Sequence, residues 1–215
     1  MTDWTTTGAE LATAVGTLVL GAATFASVRS ANRTARTAER SLLEGLRPLL
    51  VTSRLQDSPE KVGFADQHWV RVDGGHGTVE VTDEVIYLTM ALRNIGRGMA
   101  VLHGWHADRG ATSSERPDHA NVDGFRRLTR DLYIPPGDLG FWQGALRDRT
   151  EPTFAQVRTM AEADEILSLE LLYGDLAGGQ RAITRFALLP HDVEGQRVWL
   201  ASVSRHWHLD RRAPR

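Results

Sequence analysis

His206 and His208 are the residues of this chain best spaced for metal chemistry. Side chains two apart on an extended strand project from one face, so two imidazoles at this spacing could share a metal ion. Asp210 would stand as a third ligand, and zinc needs at least three from the protein. The alternate positions of the same strand hold Trp199, Ala201, Val203, Trp207 and Leu209. That apolar face should look inward, which puts His206 and His208, with Ser202 and Ser204, on the solvent side. A plain surface pair is therefore the expectation, and a metal site its rival. His103 and His106, close to Trp105, are the other imidazoles near one another. There is no cysteine in the 215 residues, which excludes disulfides, thiolate metal sites and thiol nucleophiles.

Other constellations are weaker. Asp73, Gly74, Gly75, His76 and Gly77 have the composition of a phosphate cradle, but no helix follows to aim N–H groups at an anion. They read as the turn of a glycine hairpin. There is no P-loop, no GxGxxG and no GxSxG elbow, and Ser202 and Ser204 fall within a strand. Arg126, Arg127 and Arg130 decorate a stretch where Phe125, Leu128 and Leu132 share one helical face, with Asp123 as its N-cap. Such a cluster could meet anionic lipid, nucleic acid or an acidic partner, although Asp118, Asp123 and Asp131 offer it local ion pairs. No basic–aromatic interleaving suggests a platform for stacked bases. The expectation is no catalytic residue, no cofactor and no nucleic-acid partner.

The elements that carry these residues begin with a rod at residues 10–47. Residues 11–28 hold no charge, and roughly 17–25 residues suffice for a helix to cross a bilayer. Arg29, Arg33, Arg36, Arg40 and Arg47 follow, against only Glu39 and Glu44. Met1 to Ala9 lacks the basic start of a cleaved signal peptide. The positive-inside rule then predicts one span over about residues 9–28, with the N-terminus outside and the Arg-rich stalk in the cytoplasm; a cleaved signal peptide or a soluble amphipathic helix is the rival reading. Those arginines could also meet anionic headgroups. Along the rod Ala14, Thr17, Gly21, Thr24, Val28, Ala31, Ala35, Ala38 and Leu42 keep a 3–4 spacing, the pattern of a seam between paired helices. An alanine-rich helix also offers small residues at competing spacings, so self-association is one of two readings.

Beyond Pro48 the organisation is a single domain at residues 48–210, with a basic tail at 211–215. Its 41% hydrophobic and 24% charged composition across the whole chain is that of an ordinary globular protein. Strands are expected at residues 49–55, 68–72, 78–81, 85–92, 99–107, 139–146, 165–173, 181–189 and 197–209. Residues 57–63 read as a loop, and the pairs 68–72/78–81 and 85–92/99–107 read as hairpins. Short helices are expected around residues 125–132 and at 152–163, the latter with Phe154, Val157 and Met160 inward. Leu88, Leu92, Val101 or Leu102, Phe141, Leu169, Leu171, Phe186 and Trp199 should be buried. Many strands and two small helices predict a mainly β fold, an antiparallel sandwich behind the N-terminal helix.

The segments RSANRTARTAERSLLEGLRPLL (29–50), LRNIGRGMAVLHGW (92–105), YIPPGDLGFWQGAL (133–146) and LLYGDLAGGQRAITRF (171–186) resemble a family of uncharacterised single-pass bacterial membrane proteins. The resemblance spans most of the chain and implies a cytoplasmic immunoglobulin-like sandwich on an inner-membrane anchor. It implies no activity. Three functions follow as expectations. The first is a membrane-tethered, non-catalytic interaction module. The second is a small-molecule or metal sensor or enzyme built on His103, His106, His206 and His208. The third is an accessory subunit packed on another membrane protein, with a homo-oligomer as the related possibility.

Overall fold

The computed structural model describes residues 3–110 and 116–210, except for the side chains of residues 3–15, 19 and 40. Contacts divide the chain into two compact units, Met1–Gly45 and Leu46–Arg215. The first is α1, Asp3–Gly45, an unbroken helix of 43 residues, about 65 Å long at 1.5 Å per residue. It stops at Gly45, just short of the expected end, because Pro48 bars helical backbone at Arg47. Every described side chain of α1 is exposed, including Leu18, Leu20, Phe25 and Val28. Thr24, Thr34 and Thr37 turn their hydroxyls back onto the carbonyls four residues earlier. Among the described residues no helix is long and apolar enough to cross a membrane. The expected span includes residues 9–15 and 19, whose side chains lie outside the described set, as do those of Ala14 and Arg40 and the tail at 211–215.

The second unit is built on β1 (Leu50–Thr52), β2 (Glu60–Gly63), β3 (Trp69–Val72), β4 (His76–Val81), β5 (Ile86–Asn94) and β6 (Ala100–Arg109). A single 3-10 turn, Val122–Gly124, precedes β7 (Arg126–Ile134) and β8 (Leu139–Leu146). Then come α2 (Pro152–Glu162), β9 (Leu167–Gly174), β10 (Arg181–Val193) and β11 (Gln196–His208). The fold is mainly β, and among the described residues every pairing is antiparallel. Hydrogen bonding runs through one nine-stranded sheet in the order β1-β5-β4-β11-β10-β9-β6-β7, with β8 on the far edge of β5. The sheet curls until its ends β7 and β8 lie beside each other, where Arg130 Nη2 donates to Gln143 Oε1 at 2.9 Å. One core fills the curl, drawn from Leu88, Leu92, Trp105, Trp142, Leu169, Leu171, Tyr173, Phe186 and Trp199 among others. Phe154, Val157 and Met160 of α2 join it, as their spacing predicts.

Several expectations are corrected by the pairing. Residues 60–63 form β2 rather than loop, and β2 pairs with β3 as a separate ribbon. That ribbon lays Val62, Phe64, Val70 and Val72 over Tyr87 and Ala91 on the outer face of β5, with Phe141 packed alongside. Phe141 is therefore half-buried under the ribbon instead of sitting in the main core. The glycine stretch 73–77 does not close a hairpin, because β4 pairs with β5 and β11. Nor does Asn94 begin a tight turn between β5 and β6. Its buried amide donates to the carbonyls of Gly98 and Ile134, and its Oδ1 accepts from the N–H groups of Leu49 and Gly96. Asn94 thus ties three segments together where the chain crosses from one part of the sheet to another. Among the described residues of the β domain there are two short helical elements, but residues 126–134 are strand β7. A 3.6 period and a period of 2 both leave Leu128 and Leu132 on one face, so their spacing does not separate the two. Pairing passes through one continuous nine-stranded sheet, with the β2–β3 ribbon apart from it.

Candidate functional site

The clearest cavity with converging chemistry lies beside β6. Against β9 the ladder slips between Leu102 and Gly104, so His103 is the extra residue of a β-bulge, and against β7 the same break leaves residues 128–131 opposite it. Bulges re-aim side chains and recur next to functional sites. Here the His103 Nε2 comes within 3.1 Å of the place a side chain on Gly174 would occupy. The imidazole opens onto a cavity of 480 Å³ lined by Gly104, Val122, Asp123, Phe125, Arg127, Leu172 and Arg181. Partial burial, then the charge of Arg181, hold His103 below the ordinary histidine value, with Asp131 and Asp175 pulling the other way. Neutral near pH 7, the ring can donate one hydrogen bond and accept another. Sequence reading noted His103 but had no means of uniting it with Arg127 and Arg181.

Arg126, Arg127 and Arg130 are not on a helix. On β7, Arg126 and Arg130 point toward the seam with β8, and Arg127 lies on the other face of the strand. Arg126 pairs with Glu151 and lies 5.6 Å over the Trp105 ring. Arg130 lies 5.7 Å over Phe141. A second opening of 230 Å³ is lined by Trp105, Arg126, Arg127, Leu128, Gln143, Arg147 and the ribbon's Phe64. Two of its cations are already committed, because Arg147 pairs with Asp66 at 2.8 Å.

His206 and His208 are not on the solvent side. β11 carries a bulge where Arg185 pairs with Arg205 but Phe186 pairs with Val203, leaving Ser204 over. One surplus residue reverses the faces of everything after it. Trp199 therefore packs in the core, whereas Trp207 packs on the outer face with Leu172 and Ile183. His206 turns inward, its Nδ1 2.9 Å from the Thr184 hydroxyl and 3.4 Å from that of Tyr173. The His206 and His208 rings are 4.6 Å apart. Arg47 enters beside them, with Nη1 3.2 Å from His208 Nδ1 and the guanidinium bidentate on Asp210 at 2.9 and 2.5 Å. A guanidinium thus stands where a metal bridging His208 and Asp210 would have to be. Its hydrogen bonds hold the Asp210 carboxyl down to about 2, and burial pushes the Tyr173 hydroxyl up to about 12. Among the described residues no group of three or more His, Asp or Glu is arranged to hold a metal ion. His106 lies away from this cluster, 4.0 Å from Asp108.

One charged cluster was missed in the sequence. Glu170, fully buried on β9, accepts from Arg185 Nε at 2.8 Å and Nη2 at 2.6 Å. It also accepts from Arg116 at 3.2 Å and from the Ala120 N–H at 2.8 Å. Arg185 donates onward to the carbonyls of Arg116 and Asp118 and lies 4.8 Å over the Trp207 ring. The pair staples residues 116–120 across the outer face of the sheet. A lone acid in LSLELLY and a lone base in AITRFALL were the legible signal.

Comparison with protein families found no matching family, and no curated protein matched. One solved structure, titled "Crystal structure of protein from Archaeoglobus fulgidus", is 12% identical, with 64% of this chain and 95% of that chain covered. The TM-score is 0.24, and so low a value carries no argument about fold or function.

Proposed function

We propose that the chain is a membrane-tethered interaction module. In this reading α1 crosses the inner membrane once with its N-terminus outside, and the β domain works in the cytoplasm as a binding unit. One observation carries it: Leu18, Leu20, Phe25 and Val28 stand 74%, 69%, 68% and 54% exposed on the uncharged half of α1. Burying side chains of that size in an apolar surrounding is favourable by about 1.5–3 kcal/mol each. The uncharged residues 11–28 would span about 27 Å as helix, close to the thickness of a bilayer's hydrocarbon core. The back-bonded Thr24 hydroxyl is already satisfied, as a polar group in lipid must be. Arg29, Arg33 and Arg36 follow immediately and are exposed, in the arrangement that retains a stalk in the cytoplasm. The resemblance to single-pass bacterial proteins points the same way.

Protease added to intact spheroplasts should spare a C-terminal tag, and the tag should remain with membranes washed in alkaline carbonate. Digestion of the tag while the membrane is sealed would overturn the topology, and release by carbonate would overturn the span. The small-ligand reading is favoured by a different feature, the cavity at the β6 bulge.

A further inference from the structure

We propose that the cavity at the β6 bulge is a binding site for a phosphomonoester carried on an apolar body. Three donor groups from three strands face it: His103 from β6, Arg127 from β7 and Arg181 from β10. Neither Arg127 nor Arg181 is matched with a carboxylate among the described residues. Most other arginines of the β domain are matched: Arg93 with Asp57, Arg116 with Asp108, Arg126 with Glu151, Arg147 with Asp66 and Arg185 with Glu170. Two like charges on one cavity repel, and an anion between them relieves that repulsion. Arginine is the side chain that recognises phosphate by paired N–H donors.

The number of donors selects the anion. A carboxylate presents two oxygens, whereas a phosphomonoester presents three and up to two negative charges, which suits two guanidiniums and one imidazole. Val122, Phe125 and Leu172 form the apolar wall and belong to the outer cluster with Ile183 and Trp207. The cavity, at 480 Å³, is the size of a small-molecule pocket, for which about 300–1,000 Å³ is usual. The bulge is what makes the site, because an unbulged β6 would place His103 in the ladder. Bare Gly174 leaves room for the ring, since a side chain there would also meet the Gln180 carbonyl at 2.5 Å. Asp123 is the acid in the lining and opposes the anion. Asp131 and Asp175 stand near His103 outside the lining, and each accepts a hydrogen bond, from the Tyr133 hydroxyl and the Gln180 N–H respectively. The inference does not rest on the tether.

The test uses the full-length chain in detergent, titrated calorimetrically with phenyl phosphate and, separately, with benzoate. Saturable one-to-one binding of phenyl phosphate, tighter than benzoate, is expected. Arg127→Gln and Arg181→Gln should each weaken it about tenfold, the scale of one charge-assisted hydrogen bond. Both residues are exposed, so their replacement should leave the fold intact, which an unchanged melting temperature would verify. Asp123→Asn should tighten binding about two- to threefold by removing an opposing charge, a gain that damage to the fold would not produce. Arg71→Gln, on the ribbon and paired with Asp73, should have no effect. Equal affinity in all four variants, or benzoate binding as well as phenyl phosphate, would overturn the proposal. Displacement of phenyl phosphate by dihexanoyl phosphatidate identifies a lipid headgroup as the source of the group, and displacement by glucose 6-phosphate a soluble one. Displacement by neither, at concentrations far above that of bound phenyl phosphate, would also overturn it.

Discussion

Glu170 and Arg185 are 0% and 2% exposed at their side chains, and their worth depends on being removed together or singly. An uncompensated buried charge costs about 3–5 kcal/mol, whereas replacing a whole buried pair by apolar residues is often near neutral. Arg185→Met alone should therefore destabilise the domain by up to about 3–5 kcal/mol in denaturant unfolding, less the share of the Glu170 charge that Arg116 still meets. Glu170→Leu with Arg185→Met should recover most of that loss, though residues 116–120 would lose their staple. If the double variant is no better than the single, the pair acts through that loop and not through its own burial. The Arg47–Asp210 bridge is more exposed and worth less, about 1–2 kcal/mol. Its carboxyl lies at about 2 in the folded chain against an ordinary 3.8. A depressed carboxyl contributes stability above its ordinary value and loses it as pH falls through the folded one. The stability gap between the native chain and Asp210→Asn should thus be constant from pH 7 to about 5 and close between about pH 4 and 2. A gap that persists below pH 2 would show that the carboxylate is not what holds Arg47.

At the scale of elements, the connection between β5 and β6 matters more than its length suggests. An added side chain at Gly98 would stand 1.7 Å from the Leu46 carbonyl, and one at Gly96 would stand 2.4 Å from that of Arg47. The Ile95 and Arg97 N–H groups donate to the carbonyls of Leu49 and Arg47. This connection is therefore pressed flat against residues 46–49, the entry to β1. Gly98→Ala should displace that entry and cost about 1–3 kcal/mol, read as a lower melting temperature. A neutral Gly98→Ala would mean that residues 46–49 can lift away without loss. The two bulges are the other decisive devices. His103 against β9 and Ser204 against β10 each insert one residue into a strand, and each redirects imidazoles: one ring toward a cavity, two rings toward the Tyr173 end of the core.

For the whole molecule, the open question is what covers α1. A side chain added at Gly16 or Gly21 would meet nothing within 4 Å, so the fold of one chain makes no demand for glycine there. Close approach of a second helix would make that demand. Gly21→Leu should accordingly reduce detergent-resistant crosslinking of the full-length chain. Unchanged crosslinking would show that the seam from Ala14 to Leu42 is an accident of an alanine-rich helix. Much of the architecture was legible locally. Strand β8 falls on the expected 139–146, α2 buries Phe154, Val157 and Met160, and Leu169, Leu171 and Phe186 are fully buried. These are properties of one segment, and a period of 2 or 3.6 in side-chain type carries them. Partnership and phase were not legible. Neither expected hairpin forms, since a strand's partner depends on the folding of the whole sheet and leaves no mark in its own residues. Trp199 and Trp207 share a parity in the chain yet lie on opposite faces, because Ser204 is a surplus residue of ordinary composition. The sequence by itself determined most of the helix and strand stretches and most of the buried apolar residues, but not that residues 126–134 and 60–63 are strand or that Glu170 and Arg185 are buried. Only the tertiary structure decided that His103, Arg127 and Arg181 meet, because they stand on β6, β7 and β10, which pairing gathers around β9 although His103 and Arg181 are 78 positions apart in the chain.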